Sequence, residues 1–137
     1  MGDRVTKEQR SYNMSRIKSK DTSIEVKVRK NLYHKGYRYK KNVKDLPGKP
    51  DIVLEKYKTV IFVNGCFWHH HANCKLAVIP KTWQDYWIKK IERNTRKDVE
   101  NYILLRQLGY KVITVWECEL NADFKLRMKV LEEEIIL

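Results

Sequence analysis

The chain has 137 residues, of which 42% are hydrophobic and 34% are charged, and its formal net charge is +12. This length and composition predict one globular domain with a single core. No apolar run approaches the ~20 residues of a membrane span and no basic-then-apolar leader opens the chain, so we expect a cytoplasmic protein without a membrane partner. The positive charge favours a polyanion, most simply nucleic acid, over the alternative of a basic protein with no such partner.

The first 21 residues are polar and basic, and they predict an arm that becomes ordered on its partner. Their apolar side chains Tyr12, Met14 and Ile17 do not form a convincing buried face. We therefore expect residues 1–21 to clasp DNA and residues 22–137 to form the folded domain. Met14 is either incidental or a wedge of the kind that DNA-bending proteins insert between bases.

A helix is predicted directly after the arm. Thr22-Ser-Ile-Glu25 has the pattern of a capping box, apolar residues then recur at helical spacing, and Gly36 is a typical helix stop. Glu25 is explained structurally as the third helical residue of that box. An active-site role for Glu25 is the alternative.

Three strands are predicted next. Alternation indicates a strand over residues 36–41, Asp51-Ile-Val-Leu54 indicates a second, and residues 59–63 form its hairpin partner. Asp51 therefore opens one strand beside the end of another, at the rim of a sheet. There it is either a turn residue or a functional carboxylate.

A long helix is predicted from the capping-box-like sequence Thr82-Trp-Gln-Asp85 to a stop at Gly109. On a helical wheel, Asn94 and Asp98 fall in the arc that holds the large apolar residues. Burying the carboxylate unpaired would cost at least several kcal/mol. We expect the two polar side chains to face a polar site, or else to pair with each other in the core. The apolar members of the arc are Trp83, Trp87, Ile91, Tyr102 and Leu105.

The rest of the chain predicts a buried strand over residues 110–116 and an amphipathic helix from Leu120 onward. That helix offers Leu126, Val130, Leu131, Ile135 and Ile136 for packing. A long helix between two strands is typical of a crossover connection. The predicted fold class is therefore α/β, with a mixed central sheet flanked by helices.

The stretch from Val60 to Cys74 has the most unusual composition. Its strand ends at Asn64-Gly65, a pair that tolerates positive φ and predicts a turn. The next nine residues hold two cysteines, three histidines and two large aromatics. A metal site beside an exposed aromatic wedge accounts for this composition.

Three cysteines, Cys66, Cys74 and Cys118, are an odd number, which argues against a disulfide framework. Together with one histidine they make a Cys3His set, typical of a closed structural zinc site. His71 is separated from Cys74 by two residues, a workable chelate spacing. The alternative is three unrelated reduced cysteines. Three consecutive histidines cannot all bind one ion, so at least one is left for other chemistry.

The run Asn64-Gly-Cys-Phe-Trp-His-His-His71 resembles the very-short-patch repair (Vsr) mismatch endonucleases, which nick one DNA strand beside a thymine mispaired with guanine. The resemblance covers nearly the whole chain, and it implies a fold like that of type II restriction endonucleases. Further signatures that resemble the family occur in order: Asn13-Met14, Asp21-Thr22 with Ile24-Glu25, Leu46-Pro-Gly48 with Pro50-Asp51, Val60-Ile-Phe62, Asn94 with Asp98, and Val115-Trp-Glu-Cys118.

The resemblance implies catalytic roles for four residues and a magnesium-binding role for a fifth. Asp51 resembles the carboxylate that holds magnesium at the scissile phosphate, with the backbone carbonyl of Val63 as a second ligand. His69 resembles the catalytic general acid/base, and Asp98 resembles the acid that orients either that histidine or the water shell. Glu25 matches a further active-site acid.

The resemblance also implies a structural zinc site and a DNA wedge. The residues that resemble the zinc ligands are Cys66, His71, Cys74 and Cys118, and those that resemble the wedge are Phe67 and Trp68 with Met14. Two residues, Ala72-Asn73, stand where the family more often has one before the cysteine, which leaves His70 as an alternative ligand. The acid-and-lysine pair of restriction enzymes is missing after Asp51, so catalysis is expected to depend on His69 and Asp98.

We therefore expect a magnesium-dependent endonuclease with a structural zinc. Its expected substrate is double-stranded DNA with a T·G mismatch, produced by deamination of 5-methylcytosine. A monomer acting at the bacterial nucleoid, with mismatch-repair proteins as further partners, completes the expectation. Two alternatives stand beside it: a zinc-containing DNA-binding module without catalysis, and a restriction-like nuclease that cuts matched DNA.

Overall fold

A four-stranded mixed sheet is the centre of the fold in the computed structural model, which describes residues 22–137. Strands β1 and β2, and likewise β2 and β3, are antiparallel, whereas β3 and β4 are parallel. The predicted α/β fold with a mixed, restriction-endonuclease-like sheet is confirmed. The predicted arm, with Met14, lies outside the described residues. In spatial order the strands are β1 (Lys40–Lys41), β2 (Ile52–Leu54), β3 (Thr59–Asn64) and β4 (Lys111–Trp116).

Helices lie before, between and after the strands. The long helix α2 supplies the crossover that the parallel pair β3–β4 requires. In the part of the chain that is described, no helix combines the length and the apolar character needed to cross a bilayer. The α-helices are α1 (Ser23–His34), α2 (Gln84–Gln107), α3 (Glu117–Ala122) and α4 (Phe124–Ile136), and short 3-10 turns span Glu55–Tyr57 and Lys75–Ala77.

Strand β3 is buried along its whole length, and its side chains alternate between two clusters. Ile61 and Val63 pack with the buried side chains of α1 and α4. Val60 and Phe62 face the other way and pack with Leu105 of α2. Helices α1 and α4 therefore cover one face of the sheet, and α2 covers the other.

Both ends of α1 are as predicted. The Thr22 hydroxyl accepts a hydrogen bond from the Glu25 backbone N–H at 3.3 Å, and Gly36 follows the helix with φ +96°. The first strand, in contrast, is only Lys40–Lys41 instead of residues 36–41. The Tyr37 backbone N–H donates to a carbonyl in the last turn of α1, so the segment before β1 completes the helix end instead of pairing.

Helix α2 ends as predicted, before Gly109 at φ +94°, but it does not begin as predicted. Its N-cap is Trp83, at φ +57° and without a side-chain capping bond, one residue after the Thr82 position that the predicted capping box gives. Trp83 is also 47% exposed and does not belong to the buried arc. Trp87, Ile91 and Leu105 of that arc are buried.

The tail forms two helices where one was predicted. The Asp123 carboxylate accepts from the Leu126 backbone N–H at 3.1 Å, which caps α4 and separates it from α3. Because α3 follows β4 directly, Cys118 lies in the first turn of a helix. Of the predicted packing residues, Leu131 and Ile135 are buried with Met128, whereas Leu126, Val130 and Ile136 are exposed.

Candidate active site and metal centre

The candidate active site lies where the start of β2 meets the end of β3. Asp51 immediately precedes β2, and its Oδ2 accepts a hydrogen bond from the Val63 backbone N–H at 2.6 Å. The two strands are antiparallel, so one begins where the other ends, at the same edge of the sheet. The predicted rim position of Asp51 is therefore confirmed.

Electrostatics link Asp51 to the other predicted acids and bases. Burial raises the pKa of Asp51 to about 7, and the nearby Glu25 carboxylate adds to the rise. The Val63 N–H and the charges of His69 and Arg29 act in the opposite direction. Burial disfavours the ionised form of this carboxylate. A bound cation would stabilise that form, so the surroundings favour cation binding.

The catalytic histidine candidate is held by the long helix. The Nδ1 atom of His69 lies 2.5 Å from Oδ2 of Asp98. A carboxylate at Nδ1 fixes the ring's tautomer and orientation, which leaves Nε2 as the nitrogen free to meet a substrate. His69 and Asp98 are 29 residues apart in sequence, and the crossover through α2 brings them together.

Asn94 holds the same loop one helical turn before Asp98. Its Nδ2 donates to the backbone carbonyl of Trp68 at 3.2 Å. The prediction that Asn94 and Asp98 face a polar site is confirmed, and they do so by binding two consecutive loop residues. This explains an amide and a carboxylate in an otherwise apolar helical arc.

Helix α1 contributes a buried ion pair to the neighbourhood of Asp51. Glu25 and Arg29 are 3% and 4% exposed, and Oε2 of the acid lies 3.4 Å from Nη1 of the arginine. Sequence reasoning missed Arg29, although its i,i+4 spacing from Glu25 was the available signal. The arginine balances part of the negative charge that two neighbouring carboxylates create.

The predicted zinc ligands form one compact cluster. One ligand atom from each of Cys66, His71, Cys74 and Cys118 lies within 4.8 Å of all the others. Three sulfurs and one imidazole nitrogen are the donor set of a closed tetrahedral zinc site, so these residues fit the ion. His70, the alternative ligand, is exposed and outside the cluster.

Several contacts support the cluster from α3 and β4. Burial raises the pKa of the Cys66 thiol to about 12, so a bound cation is needed to keep it a thiolate at neutral pH. The Cys66 backbone N–H donates to Oε1 of Glu117 at 3.3 Å. The His71 ring stacks on Trp116 with centroids 4.1 Å apart. Sequence reasoning gave Glu117 and Trp116 no role, although both stand in the Val115-Trp-Glu-Cys118 signature.

The loop begins at the predicted position, but its positive φ values lie farther along the chain. Positive φ values occur at His70 (+48°) and Asn73 (+56°), and not at Asn64-Gly65. Asn64 remains in β3 because it pairs with Trp116 of β4. The predicted strand end and the turn after it are therefore confirmed, since the Gly65 carbonyl accepts from the His69 backbone N–H at 3.3 Å, but this turn does not use positive φ at Asn64-Gly65.

The wedge candidates rest on the long helix. Phe67 and Trp68 are half-buried and pack edge-to-face against Trp87, with ring centroids 5.6 and 5.8 Å away. The Lys90 ammonium lies 5.3 Å from the Trp68 ring centroid. A positive charge and two supported aromatic rings thus stand directly beside His69.

Comparison with known proteins gives consistent matches. A family model described as DNA mismatch endonuclease Vsr matches residues 2–76. The type II nicking enzyme V.NmeAIP of Neisseria meningitidis is 52% identical over 137 residues, covering 98% of this chain and 97% of that protein. V.XorIIP of Xanthomonas oryzae is 45% identical over 121 residues, with 88% of each covered. The DNA mismatch endonuclease Vsr of Escherichia coli is 39% identical over 135 residues, covering 98% of this chain and 86% of that protein.

Proposed function

The chain belongs to the Vsr family of DNA mismatch endonucleases, and from this premise we propose that it nicks one strand of duplex DNA beside the thymine of a T·G mismatch. Such mismatches arise when 5-methylcytosine deaminates. The observation that carries the proposal is one polar neighbourhood shared by Asp51, His69 and Asp98. Those three side chains supply a cation ligand, a proton-transfer group and its orienting acid.

A magnesium ion would be held by the Asp51 carboxylate and the Val63 carbonyl, since oxygen atoms are the ligands this hard cation prefers. In a strand, the N–H and C=O of one residue point to the same side, and the Val63 N–H already meets Asp51. The register pairs Ile52 with Ile61, so two further steps would put Pro50 opposite Val63. Proline has no N–H for that carbonyl, which would leave its oxygen available to an ion.

When bound, magnesium would neutralise and orient the scissile phosphate. His69, with Nδ1 held by Asp98, would use Nε2 to move a proton to or from the attacking water or the leaving oxygen. Glu25, buried behind Asp51 and paired with Arg29, is proposed as a further active-site acid. The sheet edge would thus stabilise charge at the phosphate, and the loop would supply the proton-transfer group.

A zinc ion held by the Cys3His cluster would be structural. Its support is the closeness and chemistry of the four donors. The loop has no core of its own, so cross-linking it to α3 would keep the backbone of His69 rigid two residues before His71.

Mismatch selection would depend on the cost of opening the base stack. A T·G pair stacks poorly, and unstacking costs on the order of a few kcal/mol per step. Phe67 and Trp68, with Met14 of the arm, would wedge into the opened step, and stacking returns ~1–3 kcal/mol per base. The arm and the basic side chains of α2 would hold phosphates without reading sequence. Those side chains are Lys89, Lys90, Arg93, Arg96 and Lys97.

The setting is part of the same proposal. We propose a monomer that acts on nucleoid DNA in the bacterial cytoplasm, with mismatch-repair proteins as further partners. The net charge of +12 supports the DNA-bound setting.

The test is a panel of mismatched and matched duplexes incubated with magnesium, with the cut position mapped. We expect the parent to nick the T·G duplex on the thymine strand and Asp51→Ala or His69→Ala to lose about 10²–10⁴-fold in rate. His70→Ala, a change in the same loop but outside both sites, is the matched control and should retain parental nicking.

Each other outcome contradicts a stated part of the proposal. Parental rates in both Asp51→Ala and His69→Ala would refute the assigned roles. A parent that binds but never nicks any mismatch would be the DNA-binding module. Matched DNA cut as fast as the T·G duplex would identify a restriction-like nuclease.

A further inference from the structure

One buried hydrogen bond near the active site has no role in the mechanism above. The Nδ2 atom of Asn64 donates to the Tyr102 hydroxyl at 3.2 Å. Asn64 is only 3% exposed, and it continues the face of β3 that Val60 and Phe62 begin. Burying an amide is costly unless it is hydrogen-bonded, so an asparagine here needs the partner that α2 provides.

The bond joins the two halves of the proposed site. Asn64 follows Val63, whose N–H holds Asp51 and whose carbonyl is the second proposed magnesium ligand. Tyr102 lies one helical turn after Asp98, which holds His69. Strand β3 holds the proposed cation ligands through Val63, and helix α2 holds the proton-transfer group through Asp98, so this contact acts directly on the spacing between them.

The tyrosine is well placed to set a distance and poorly suited to transfer a proton. Its ring packs against Phe62 with centroids 5.0 Å apart, which fixes where the hydroxyl can reach. Burial raises the pKa of Tyr102, and the charges of Asp98 and Asp51 raise it further against the hydrogen bonds from Asn64 and Thr114. The hydroxyl therefore stays neutral at working pH.

We propose that Tyr102 is a positioning residue that acts through Asn64 to fix the spacing between Val63 of β3, which holds Asp51, and Asp98 of α2, which holds His69. The inference rests on the proposed function and names a specific residue for that reaction. It predicts that, without the Asn64–Tyr102 hydrogen bond, each half of the site keeps its own contacts while the distance between the two halves changes.

The test is Tyr102→Phe, which removes one oxygen atom and keeps the ring against Phe62. We expect kcat for T·G nicking to fall roughly 10- to 100-fold, because small misplacements of catalytic groups cost that much. KM for DNA, the affinity for Mn²⁺ measured by electron paramagnetic resonance, and the shape of the pH profile should stay at parental values. A merely structural role would weaken ligand binding and thermal stability together.

The matched control is Tyr110→Phe. It also removes a hydrogen-bonded hydroxyl, here one whose oxygen lies 2.9 Å from Oε1 of Glu55 at an exposed site. It should leave kcat at the parental value. Asn64→Ala offers a second route to the same loss, and the double variant Asn64→Ala/Tyr102→Phe should be no slower than the slower single variant.

Three results would overturn the inference while the proposed function stands: parental kcat in Tyr102→Phe, a loss of DNA or Mn²⁺ affinity that accounts for the fall in rate, or additive losses in the double variant. A parent that nicks no duplex would refute the proposed function itself, and the positioning role would fall with it.

Discussion

At the scale of single residues, Asp51 is a carboxylate whose surroundings disfavour its ionised form. Its pKa is raised from the ordinary 3.8 to about 7, with burial as the main cause. A carboxyl group whose pKa is higher in the folded state stabilises the fold most below its unfolded pKa. This contribution is lost as the pH rises through the folded pKa. At pH 8, without a cation, the ionised Asp51 therefore no longer supports the fold.

We predict that Asp51→Asn melts at a higher temperature than the parent at pH 8 in magnesium-free buffer with zinc retained. An amide does not ionise, so it avoids this loss, which we place at about 1–3 kcal/mol. The advantage should shrink toward pH 5, and magnesium should reduce it at pH 8 by stabilising only the parent. Thermal unfolding at the two pH values, with and without magnesium, measures all three effects.

The control for that experiment is Asp45→Asn, which removes a negative charge from an exposed position. It should show no comparable advantage at pH 8. If Asp51→Asn is no more stable than the parent at pH 8, burial of the carboxylate is not the determining effect.

At the scale of elements, the loop between β3 and α2 is fixed by its neighbours. Helix α2 binds it through Asn94 and Asp98, and α3 binds it through Glu117 and the Cys118 end of the thiol cluster. A loop held from two sides depends on both, so we expect disruption of the Cys3His cluster to displace His69 as well, two residues before His71.

We predict that the purified parent carries about one zinc per chain, and that Cys118→Ser and His71→Ala lose it. His70→Ala is the matched control and should keep its zinc, since that side chain lies outside the cluster. Elemental analysis gives the stoichiometry, and thermal unfolding should show a lower melting temperature in the two zinc-free variants. Zinc retained in His71→Ala but lost in His70→Ala would reverse the ligand assignment.

The same scale shows what the sequence can predict about this fold. Strands β3 and β4 and the length of α2 follow from apolar periodicity and a glycine stop, both local signals. The errors at residues 36–41, at Trp83 and at Asp123 have another cause. At those positions the backbone conformation depends on contacts with neighbouring elements, or on a local cap that competes with the periodic pattern.

In the candidate site, too, some features could be predicted from the sequence and others could not. Its motif residues could be identified because they stand close together or resemble a family pattern. The supporting contacts of Tyr102 and Glu117 could not be predicted, since their partners Asn64 and Cys66 are 38 and 51 residues away in sequence. Only the folded sheet and its crossover bring such pairs into contact.

At the scale of the whole molecule, one helix combines the chemistry with positive charge. Helix α2 carries Asp98 and Asn94 toward the loop, and the exposed side chains Arg93 and Lys97 lie beside them. A basic flank at this position would attract the DNA backbone to the catalytic side of the sheet. The opposite face is covered by α1, which reaches the site only through Glu25 and Arg29, and by α4.

We predict that Arg93→Gln/Lys97→Gln weakens binding to T·G and matched duplexes by the same factor. Each phosphate contact releases condensed counterions, so the slope of log K against log salt should fall by about 0.9 per lost contact. Nicking at saturating DNA should keep the parental rate, because phosphate contacts position the duplex without entering the chemistry. Binding isotherms at several salt concentrations measure the slope.

The matched control is Lys125→Gln/Lys129→Gln, which removes two exposed charges from α4 on the other side of the sheet. The net charge changes by the same amount, so a general effect of charge would lower both slopes equally. A lower slope in Arg93→Gln/Lys97→Gln alone would show that these side chains of α2 contact the DNA phosphates locally. Equal slopes for the two variants, or a loss restricted to the mismatched duplex, would show that α2 does not hold phosphates in this way.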